Sequence, residues 1–583
     1  MRCHLPRARV ATTSGRCPSG HRGLLMTNPK YLQEVPQHAR SVLHDCLFLI
    51  LIVLISTVSY IGRLGFYSDD WGLVAALRGS SEQSLPSLFR LLYSTGFRWR
   101  PVQAVYLTLL YETFGVHPLG YHVVNAILLA TIACFFYLSL SLLDQPRSLA
   151  IGVPLVYVLL PDYSTIRFWI CVPGTFCMAF YFINLYTLLR AAQTRGRPAL
   201  AWMALSVISL FVSTLAYEIA IPLFVVNFML VKWQDNLKRS TKEGVDFGLG
   251  WRFALVCNAL ALASVLLFKM NTAVRFHPHN FSLSWIKYVV KGSIRVHFID
   301  YGIRLPWLSY LAVRLNPDRQ SYALAAILSL SILWYAKSTS QSESTGTAAS
   351  DMFKFLACGL LVFGAANIML LVAPGQIGFT TTGAANRTNI ATSVGIAMIV
   401  VGAIRLLGSL IKNTGVRSVI EGSLVGVVCT MGFLIISTVA SFWTRAYQRQ
   451  QMILADIAQH IPSIPHGTTL VLDGVCPYMG PGIVFECHWD VGGALNLLYH
   501  DWTLKGDIVI PRLKVEERGL VIRTHEVTRY YPYSRNLMIY NFSRKITQRL
   551  TDAEATRRYF QAMDPTHGGY CAPGTEGYEV RIF

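Results

Sequence analysis

Long apolar runs separated by short charged stretches limit what this chain can fold into more than any other feature of its sequence. A helix needs about 20 apolar residues to cross the hydrocarbon layer of a membrane, and by that measure about eleven crossings are predicted. They fall at 43–61, 121–142, 148–161, 172–190, 199–216, 219–233, 251–268, 320–336, 353–373, 389–411 and 417–441. With 53% hydrophobic and 14% charged residues, the chain is predicted to be an integral membrane protein.

The formal charge of +20 does not indicate a nucleic-acid partner. The basic residues are scattered between apolar runs, and no basic stripe interleaved with aromatic residues is visible. Cytoplasmic loops rich in Lys and Arg, together with anionic membrane lipids or a phosphate-bearing lipid, explain the charge better. The twelve cysteines show no CxxC spacing typical of a metal site.

Polarity divides the chain into three parts. Residues 1–42 are predicted to be a disordered cytoplasmic N-terminus, and 43–441 an all-α transmembrane domain whose first outside loop, 62–120, contains amphipathic helices. Residues 442–583 are predicted to be a small α+β extracytoplasmic domain, with a helix near 445–460 and strands at 469–472 and 519–523. In an oxidising compartment, Cys476 and Cys487 of this domain are expected to pair.

The segment 101–116 decides the sidedness of the loops. It is short, amphipathic and carries Gln103 and Glu112, so it is predicted to lie in the interface instead of crossing the membrane. With a cytoplasmic N-terminus, each predicted inside loop then carries Lys or Arg, which is a consistent positive-inside pattern, while the C-terminal domain lies outside. A bacterial inner membrane with a periplasmic C-terminal domain is the predicted location, and an endoplasmic-reticulum membrane is the alternative.

Two adjacent carboxylates, Asp69 and Asp70, directly follow the first apolar run. Ionisable residues beside a membrane are costly and mark functional sites by default. Adjacent acids do not point the same way on a helix or strand, so one is predicted to act as a base while the other orients it. A solvated pair in a loop is the alternative.

The residues after this pair follow a distinctive order. The sequence RWRP at 98–101 leads into the amphipathic segment, and FGVHPLGYHVVN at 114–125 opens the second crossing. This order resembles the first outside loop of membrane glycosyltransferases of the GT-C class. It is most similar to the protein O-mannosyltransferase-like branch and to the transmembrane mannosyltransferases that carry tetratricopeptide repeats. The resemblance is best over 60–230, and those repeats are missing from 442–583.

The resemblance implies a sugar donor linked to polyprenyl or dolichyl phosphate, chemistry on the outer face, and an acid of the first loop as catalytic base. By position, Asp70 is the preferred base and Asp69 the alternative. Glu218 matches the family's acid at the outer end of a crossing, and it is expected to shape the acceptor site. At 160–165 the family's His-Pro-x-His-Thr-Glu run is replaced by Leu-Pro-Asp-Tyr-Ser-Thr, so the second-loop acid has either moved to Asp162 or is absent.

A departing lipid phosphate needs a cation to stabilise its charge. Arg387, after a Gly/Thr-rich turn at the mouth of a crossing, is the sharpest candidate, because guanidinium binds phosphate through two hydrogen bonds. Further candidates are Arg98 and Arg100 in the first loop and, within 269–319, Arg275, Lys287, Lys291, Arg295 and Arg304. Snorkelling to lipid headgroups is the alternative for Arg387.

No cofactor is predicted with certainty, and participation of Mg²⁺ or Mn²⁺ is left open. A zinc site at His277 and His279 is disfavoured because two histidines flanking a proline lack further ligands.

The leading hypothesis is therefore an inverting, polyprenyl-phosphate-sugar-dependent glycosyltransferase, a hexosyltransferase that acts on a glycan, lipid or protein acceptor. The alternatives are a transporter or flippase of a lipid-linked or anionic substrate, and a non-catalytic membrane scaffold. The acids lie at the ends of crossings and no internal repeat is visible, and both facts favour the enzyme over the transporter.

Overall fold

The computed structural model describes residues 29–240, 250–272, 282–316, 318–340, 349–372, 379–510, 513–524 and 527–562. Residues 1–45 and 46–583 are two compact units. The second unit contains all of the predicted site residues, and its described part consists of a helical region followed by a smaller region that contains the strands.

The helices are α1 Pro29–Thr57, α2 Asp69–Arg78, α3 Leu85–Leu92, α4 Pro101–Phe114, α5 Pro118–Leu142, α6 Arg147–Leu159, α7 Gly174–Gln193, α8 Arg197–Ala216, α9 Ile221–Ser240, α10 Gly250–Thr272, α11 Leu283–Ile294, α12 Leu305–Leu315, α13 Arg319–Ser340, α14 Ala349–Val372, α15 Thr392–Gly408, α16 Thr414–His460, α17 His488–Tyr499 and α18 Ala553–Ala562. Short 3₁₀ helices span Ile61–Arg63, Pro161–Arg167, Glu218–Ala220 and Ala384–Ile390, and π-helical turns span Tyr93–Phe97 and Arg295–Ile303. The strands are β1 Thr469–Asp473, β2 Tyr478–Met479, β3 Gly482–Ile483, β4 Lys505–Ile508, β5 Lys514–Glu516, β6 Gly519–Thr524, β7 Val527–Pro532, β8 Leu537–Asn541 and β9 Ile546–Arg549.

The described chain contains seven helices long and apolar enough to cross a membrane, or nine if each of two bent pairs counts as one span. This confirms an integral, multi-pass helical membrane protein, although the predicted number of crossings was about eleven. Helices α9 and α13 lie at the other two predicted positions but are not among these spans. In α9 the apolar stretch gives way to Lys232, Asp235, Lys238 and Arg239. Helix α4 is only 14 residues long, which agrees with the prediction that 101–116 does not cross.

The two bent pairs pack against each other. Helix α6 and Pro161–Arg167 meet at 63°, and Ala384–Ile390 and α15 meet at 68°. Proline 161 lacks the N–H that would continue α6, and it disfavours helical geometry at the residue before it. Thr165 joins the pairs, because its N–H donates to Asn386 Oδ1 (3.1 Å) and its hydroxyl donates to Gly383 O (3.1 Å).

Helix α16 is one continuous helix of 47 residues. The crossing predicted at 417–441 and the helix predicted near 445–460 are therefore the same element, and the predicted domain boundary at 442 lies inside it. Its buried side chains beyond the apolar run, Trp443, Ala446, Gln450, Ile453 and Ile457, recur every three or four residues, as expected for one helix face.

The C-terminal domain has a mixed four-stranded sheet of order β4-β1-β8-β9 and a three-stranded antiparallel sheet of order β5-β6-β7. Strand β1 is parallel to both β4 and β8, in register from Thr469 opposite Lys505 and Leu537. Helix α17 lies between β3 and β4 in the chain, as expected for the crossover that joins parallel strands. The predicted combination of helices and strands is thus confirmed.

Helices α2 and α17 touch through their backbones. A Cβ added at Gly493 would lie 2.5 Å from the carbonyl carbon of Trp71, and one added at Gly72 would lie 3.2 Å from Trp489 O. Close approach of this kind requires glycine. On the other side of the first loop, the Tyr67 hydroxyl donates to Trp443 O at 2.8 Å. The first outside loop is therefore packed between α16 and the C-terminal domain.

The predicted disulfide between Cys476 and Cys487 is wrong. Cys476 is disulfide-bonded, but Cys487 is a free, buried cysteine. Cys487 is the N-cap of α17, where its side chain accepts a hydrogen bond from the backbone N–H of Asp490. The capping position gives the Cys487 side chain a partner within its own helix.

Candidate functional site

The two adjacent acids have opposite environments. Asp70 is 1% exposed, whereas Asp69 is exposed at the first position of α2. Since α2 begins at Asp69, the next residue turns by about 100° around the helix axis and faces the interior. The helix dipole favours a carboxylate at this N-terminus, and Asp69 is the accessible acid of the pair.

Asp70 connects the first outside loop to the loop before α7. Its Oδ1 accepts the N–H of Cys171 at 2.8 Å, and its Oδ2 accepts the N–H of Tyr67 at 3.1 Å. Burial raises the pKa of Asp70 to about 7, against the lowering effect of these hydrogen bonds. Asp70 therefore uses its oxygens to hold backbone in place, which suits a positioning residue better than a base.

Ser68, just before the pair, has an unusual backbone conformation with φ of 47°. Its hydroxyl donates to the buried carboxylate of Glu486, and it accepts the indole N–H of Trp489 at 3.3 Å. Positive φ at a residue other than glycine is uncommon, and it persists only where surrounding contacts enforce it. Contacts from the C-terminal domain thus enforce the turn that presents Asp69.

The segment Trp169–Cys171 lies where several elements converge. Asp70 accepts a hydrogen bond from the Cys171 N–H, and Gln103 of α4 donates one to Cys171 O at 2.7 Å. The guanidinium of Arg387 lies 5.0 Å from the centre of the Trp169 ring. Because two residues of extended chain span at most about 7 Å, Asp70 and Arg387 contact neighbouring parts of one short segment.

A second group of charges lies beside Arg387. Arg100 binds Glu218 through Nε at 3.1 Å and Nη2 at 2.5 Å, and Lys269 Nζ lies 3.3 Å from the same carboxylate. The side chains of Arg100 and Glu218 are 19% and 20% exposed. With two cations and one anion, the group carries a net positive charge.

Aromatic rings hold this group in place. Arg100 stacks on Trp99 (3.9 Å) and on Tyr217 (4.5 Å), as cations do on aromatic faces. Burial alone would raise the pKa of Glu218, but Arg100 and then Lys269 outweigh it and hold the pKa at about 2. Burial likewise raises the pKa of Tyr217, while Arg100 and Arg387 lower it. Tyr217 therefore lies between the two sets of cations.

Asp162 has a different environment, in what we call the Asp162 cluster. Its carboxyl group is fully buried and contacts His297 Nδ1 at 2.8 Å and the Ser393 hydroxyl at 2.9 Å. His297 Nε2 contacts the hydroxyl of Thr392 at 3.1 Å, and Asn389 donates to the backbone oxygen of Asp162 at 2.9 Å. The cluster joins the two bent pairs, so we assign Asp162 a positioning role. That Asp162 takes the place of the second-loop acid and shapes the acceptor site stays a prediction from the sequence.

The other predicted cations lie at the surface. Arg98 and Arg295 are exposed, and no described contact brings either to the Trp169–Cys171 segment. Positions 275, 277 and 279, considered above for phosphate and zinc, lie outside the described residues.

Sequence reasoning missed Lys269, Trp169 and Tyr217. A lone lysine at the end of the apolar run 251–268 was the available signal for Lys269, since a buried charge at the end of a crossing needs a partner. The aromatic residues gave no such signal, because the rings contact cations far away in sequence.

One group of described residues has metal-ligand geometry, with donor atoms of Glu486, Cys487 and Asp490 within 4.8 Å of one another. Asp490 accepts the backbone N–H groups of Glu486 (2.7 Å) and Cys487 (3.1 Å), as the cap of α17. Glu486 accepts hydrogen bonds from Ser68 and from the Tyr478 hydroxyl. Burial raises the pKa of Asp490 well above its usual range. These acids are occupied in holding the turn and the helix.

No protein-family model and no curated protein matches this sequence. Among solved structures, the chain is similar to ArnT from Cupriavidus metallidurans bound to undecaprenyl phosphate, with a TM-score of 0.34 and 14% identity over 80% of this chain and 86% of that one. The apo form of the same protein gives a TM-score of 0.32 and 15% identity over 73% of this chain and 81% of that one. Similarity at this level does not establish a shared function, so the function has to be argued from the site.

Proposed function

We propose that this protein is a glycosyltransferase that moves a hexose from a polyprenyl-phosphate donor to an acceptor at the outer face of a membrane. The observation that carries the proposal is that Asp70, the neighbour of the exposed acid Asp69, and Arg387 contact opposite ends of the Trp169–Cys171 segment, through the Cys171 N–H and the Trp169 ring respectively. The residue order at 60–125, which resembles that of GT-C glycosyltransferases, supports the same reaction.

In this proposal Asp69 is the general base. Transfer with inversion requires a carboxylate to take the proton of the acceptor hydroxyl as that oxygen attacks the anomeric carbon. Asp69 is exposed at the first position of α2, where the helix dipole favours a carboxylate. Asp70, with both oxygens on backbone amides, holds the loop that carries Asp69. The proposed roles of Asp69 and Asp70 therefore differ from the sequence prediction, which preferred Asp70 as the base and gave Asp69 as the alternative.

Arg387 is the proposed partner of the lipid phosphate, with Arg100 and Lys269 completing the positive field. As the bond between the sugar and the phosphate breaks, negative charge grows on the phosphate oxygens, and preorganised cations stabilise it most at that moment. Glu218 has a positioning role, because it holds Arg100 and Lys269 in fixed places. No step of this proposal requires a metal ion.

The proposed setting is a bacterial inner membrane with the C-terminal domain in the periplasm. The distribution of Lys and Arg over the predicted inside loops supports it.

Purified protein in lipid vesicles, supplied with polyprenyl-phosphate sugar labelled in the sugar and with membrane extract as acceptor, tests the proposal. We expect label to leave the lipid and enter a product whose anomeric configuration is opposite to that of the donor. Label that stays on the lipid while the lipid crosses the bilayer would instead establish a flippase. Label that neither leaves nor crosses would favour a scaffold.

A further inference from the structure

A cavity in the C-terminal domain lies against the first outside loop. Its volume is about 700 Å³, and one wall is formed by α2 through Gly72, Ala75, Ala76 and Gly79. These positions recur at helical spacing, so they form one face of α2. Asp69 stands at the N-terminus of that same helix. The cavity therefore extends along the element that presents the proposed base.

The rest of the lining carries aromatic rings. Trp502 is 40% exposed and Tyr530 is 50% exposed, and both line the cavity together with Trp489. A Cβ added at Gly79 would lie 2.6 Å from the Trp502 ring, so this ring lies flat against α2. The indole N–H of Trp489 donates to Ser68, the residue before Asp69.

The charged side chains described in the cavity lining are basic. Arg529 and Lys505 are exposed at its wall, and Arg529 Nη2 lies 2.9 Å from His488 Nε2, which accepts its hydrogen bond. None of the described residues that line the cavity is Asp or Glu. Asp507, whose charge interacts with Arg529, is buried and accepts a hydrogen bond from the Tyr531 hydroxyl at 2.7 Å. The accessible charge is therefore cationic.

We propose that this cavity binds an acidic oligosaccharide, which would be the acceptor of the reaction. The assignment as acceptor rests on the proposed glycosyltransferase function, whereas the binding itself does not. Pyranose rings have apolar C–H faces with slightly positive hydrogens, which match the negative faces of Trp and Tyr. Arg529 and Lys505 are placed for sugar carboxylates, since charge-assisted hydrogen bonds are stronger than neutral ones. A volume near 700 Å³ is within the usual range for small-ligand sites.

Binding to the full-length protein in nanodiscs tests this inference with defined probes. Tetragalacturonate and a hyaluronan tetrasaccharide supply sugar carboxylates, and fully methyl-esterified tetragalacturonate is the matched neutral control. Tetraglutamate tests for an acidic peptide, and glycerol phosphate tests for a lipid headgroup. We expect at least one acidic saccharide to bind. We expect the methyl ester, the peptide and the headgroup to bind at least about 10-fold more weakly.

Variants locate the binding. Ala76→Trp fills the cavity from α2 without removing a polar group, and it should weaken saccharide binding at least about 10-fold. The double variant Arg529→Gln, Lys505→Gln should do the same, while Arg518→Gln, Lys514→Gln, on exposed residues outside the cavity lining, should leave binding unchanged. Thermal unfolding of each variant checks that it is folded.

Several outcomes overturn the proposal. They are binding of neither acidic saccharide, equal binding of the methyl ester, tighter binding of the peptide or headgroup, or full binding by folded Ala76→Trp. The Asp69→Asn variant keeps the two proposals apart, because it should bind the saccharide normally while losing transfer. Saccharide binding without any sugar transfer would contradict the glycosyltransferase and leave the cavity assignment standing. Sugar transfer without saccharide binding would contradict the cavity assignment and leave the glycosyltransferase proposal standing.

Discussion

The Asp162 cluster and the charges around the Trp169–Cys171 segment lie close together in the fold, yet they use charge differently. In the cluster, the side chains of Asp162 and His297 are both 0% exposed and contact each other. Around the segment, Asp69 is exposed, and the pair between Arg100 and Glu218 remains about one-fifth exposed. The cluster thus holds the bent helix pairs together, whereas the second region can be reached by a substrate. Asp162 and Asp69 both lie beside a predicted crossing, but Asp162 is enclosed and Asp69 is exposed. We therefore expect different functions for the two acids.

Breaking the Asp162 cluster should have the largest effect on stability. The His297→Ala substitution leaves the buried Asp162 carboxyl group without its imidazole partner. We expect the free energy of unfolding to fall by about 3–5 kcal/mol. Denaturant unfolding in detergent measures it. The matched control is Asp351→Asn, which removes a pair with Lys354 whose side chains are 54% and 58% exposed; it should change stability by less than about 1 kcal/mol. A His297→Ala protein as stable as the control would remove the distinction between the regions.

Replacing Arg387→Gln should impair transfer while leaving the fold intact. Loss of a charge-assisted hydrogen bond to the lipid phosphate corresponds to about 1.5–3 kcal/mol, or roughly 10- to 150-fold in rate. The rate of sugar release from the labelled donor measures it. If Arg387→Gln transfers sugar at the normal rate but binds lipid vesicles less well, its role is snorkelling to headgroups.

Asp70 should make stability depend on pH. Its folded pKa of about 7 is raised by burial, so its contribution to stability is complete below the unfolded value near pH 4 and is lost as the pH rises through 7. Unfolding temperature measured from pH 4 to 8 should therefore fall more steeply for the wild type than for Asp70→Asn. Parallel curves would show that Asp70 does not titrate in this range.

Replacing Arg98→Gln or Arg295→Gln should have the smallest effect. Both side chains are exposed, and exposed charges contribute little because water and salt screen them. We expect less than about a threefold change in the rate of transfer. A loss as large as that of Arg387→Gln would move the phosphate site toward the surface residues.

Local patterns in the sequence predicted the membrane class, which the fold confirms, whereas the roles given to the acid pair, Glu218 and Arg387 stay predictions. Apolar length predicts crossings because every backbone group in lipid must be hydrogen-bonded within the helix. Apolar length did not predict the full extent of α16, because the second half of this helix is polar on one face. Its buried residues keep helical spacing after the apolar run ends, so the sequence did contain that signal.

The different environments of Asp69 and Asp70 could not be predicted from the pair alone. They depend on the start of α2 at Asp69 and on an amide of Cys171, which is 101 residues away. The contact between Asp162 and His297 likewise joins residues 135 positions apart. Pairing at such distances follows from packing, and no local pattern encodes it.

The central claim is that Asp69, and not Asp70, is the base. The most direct test is the single-turnover rate of sugar transfer in Asp69→Asn and Asp70→Asn, measured per folded molecule at saturating donor. We predict a loss of about 10²- to 10⁴-fold for Asp69→Asn with unchanged stability. For Asp70→Asn we predict a smaller loss of rate, accompanied by about 1–3 kcal/mol of lost stability, because an amide N–H would face backbone donors. Normal transfer by folded Asp69→Asn, together with complete loss in folded Asp70→Asn, would contradict the claim.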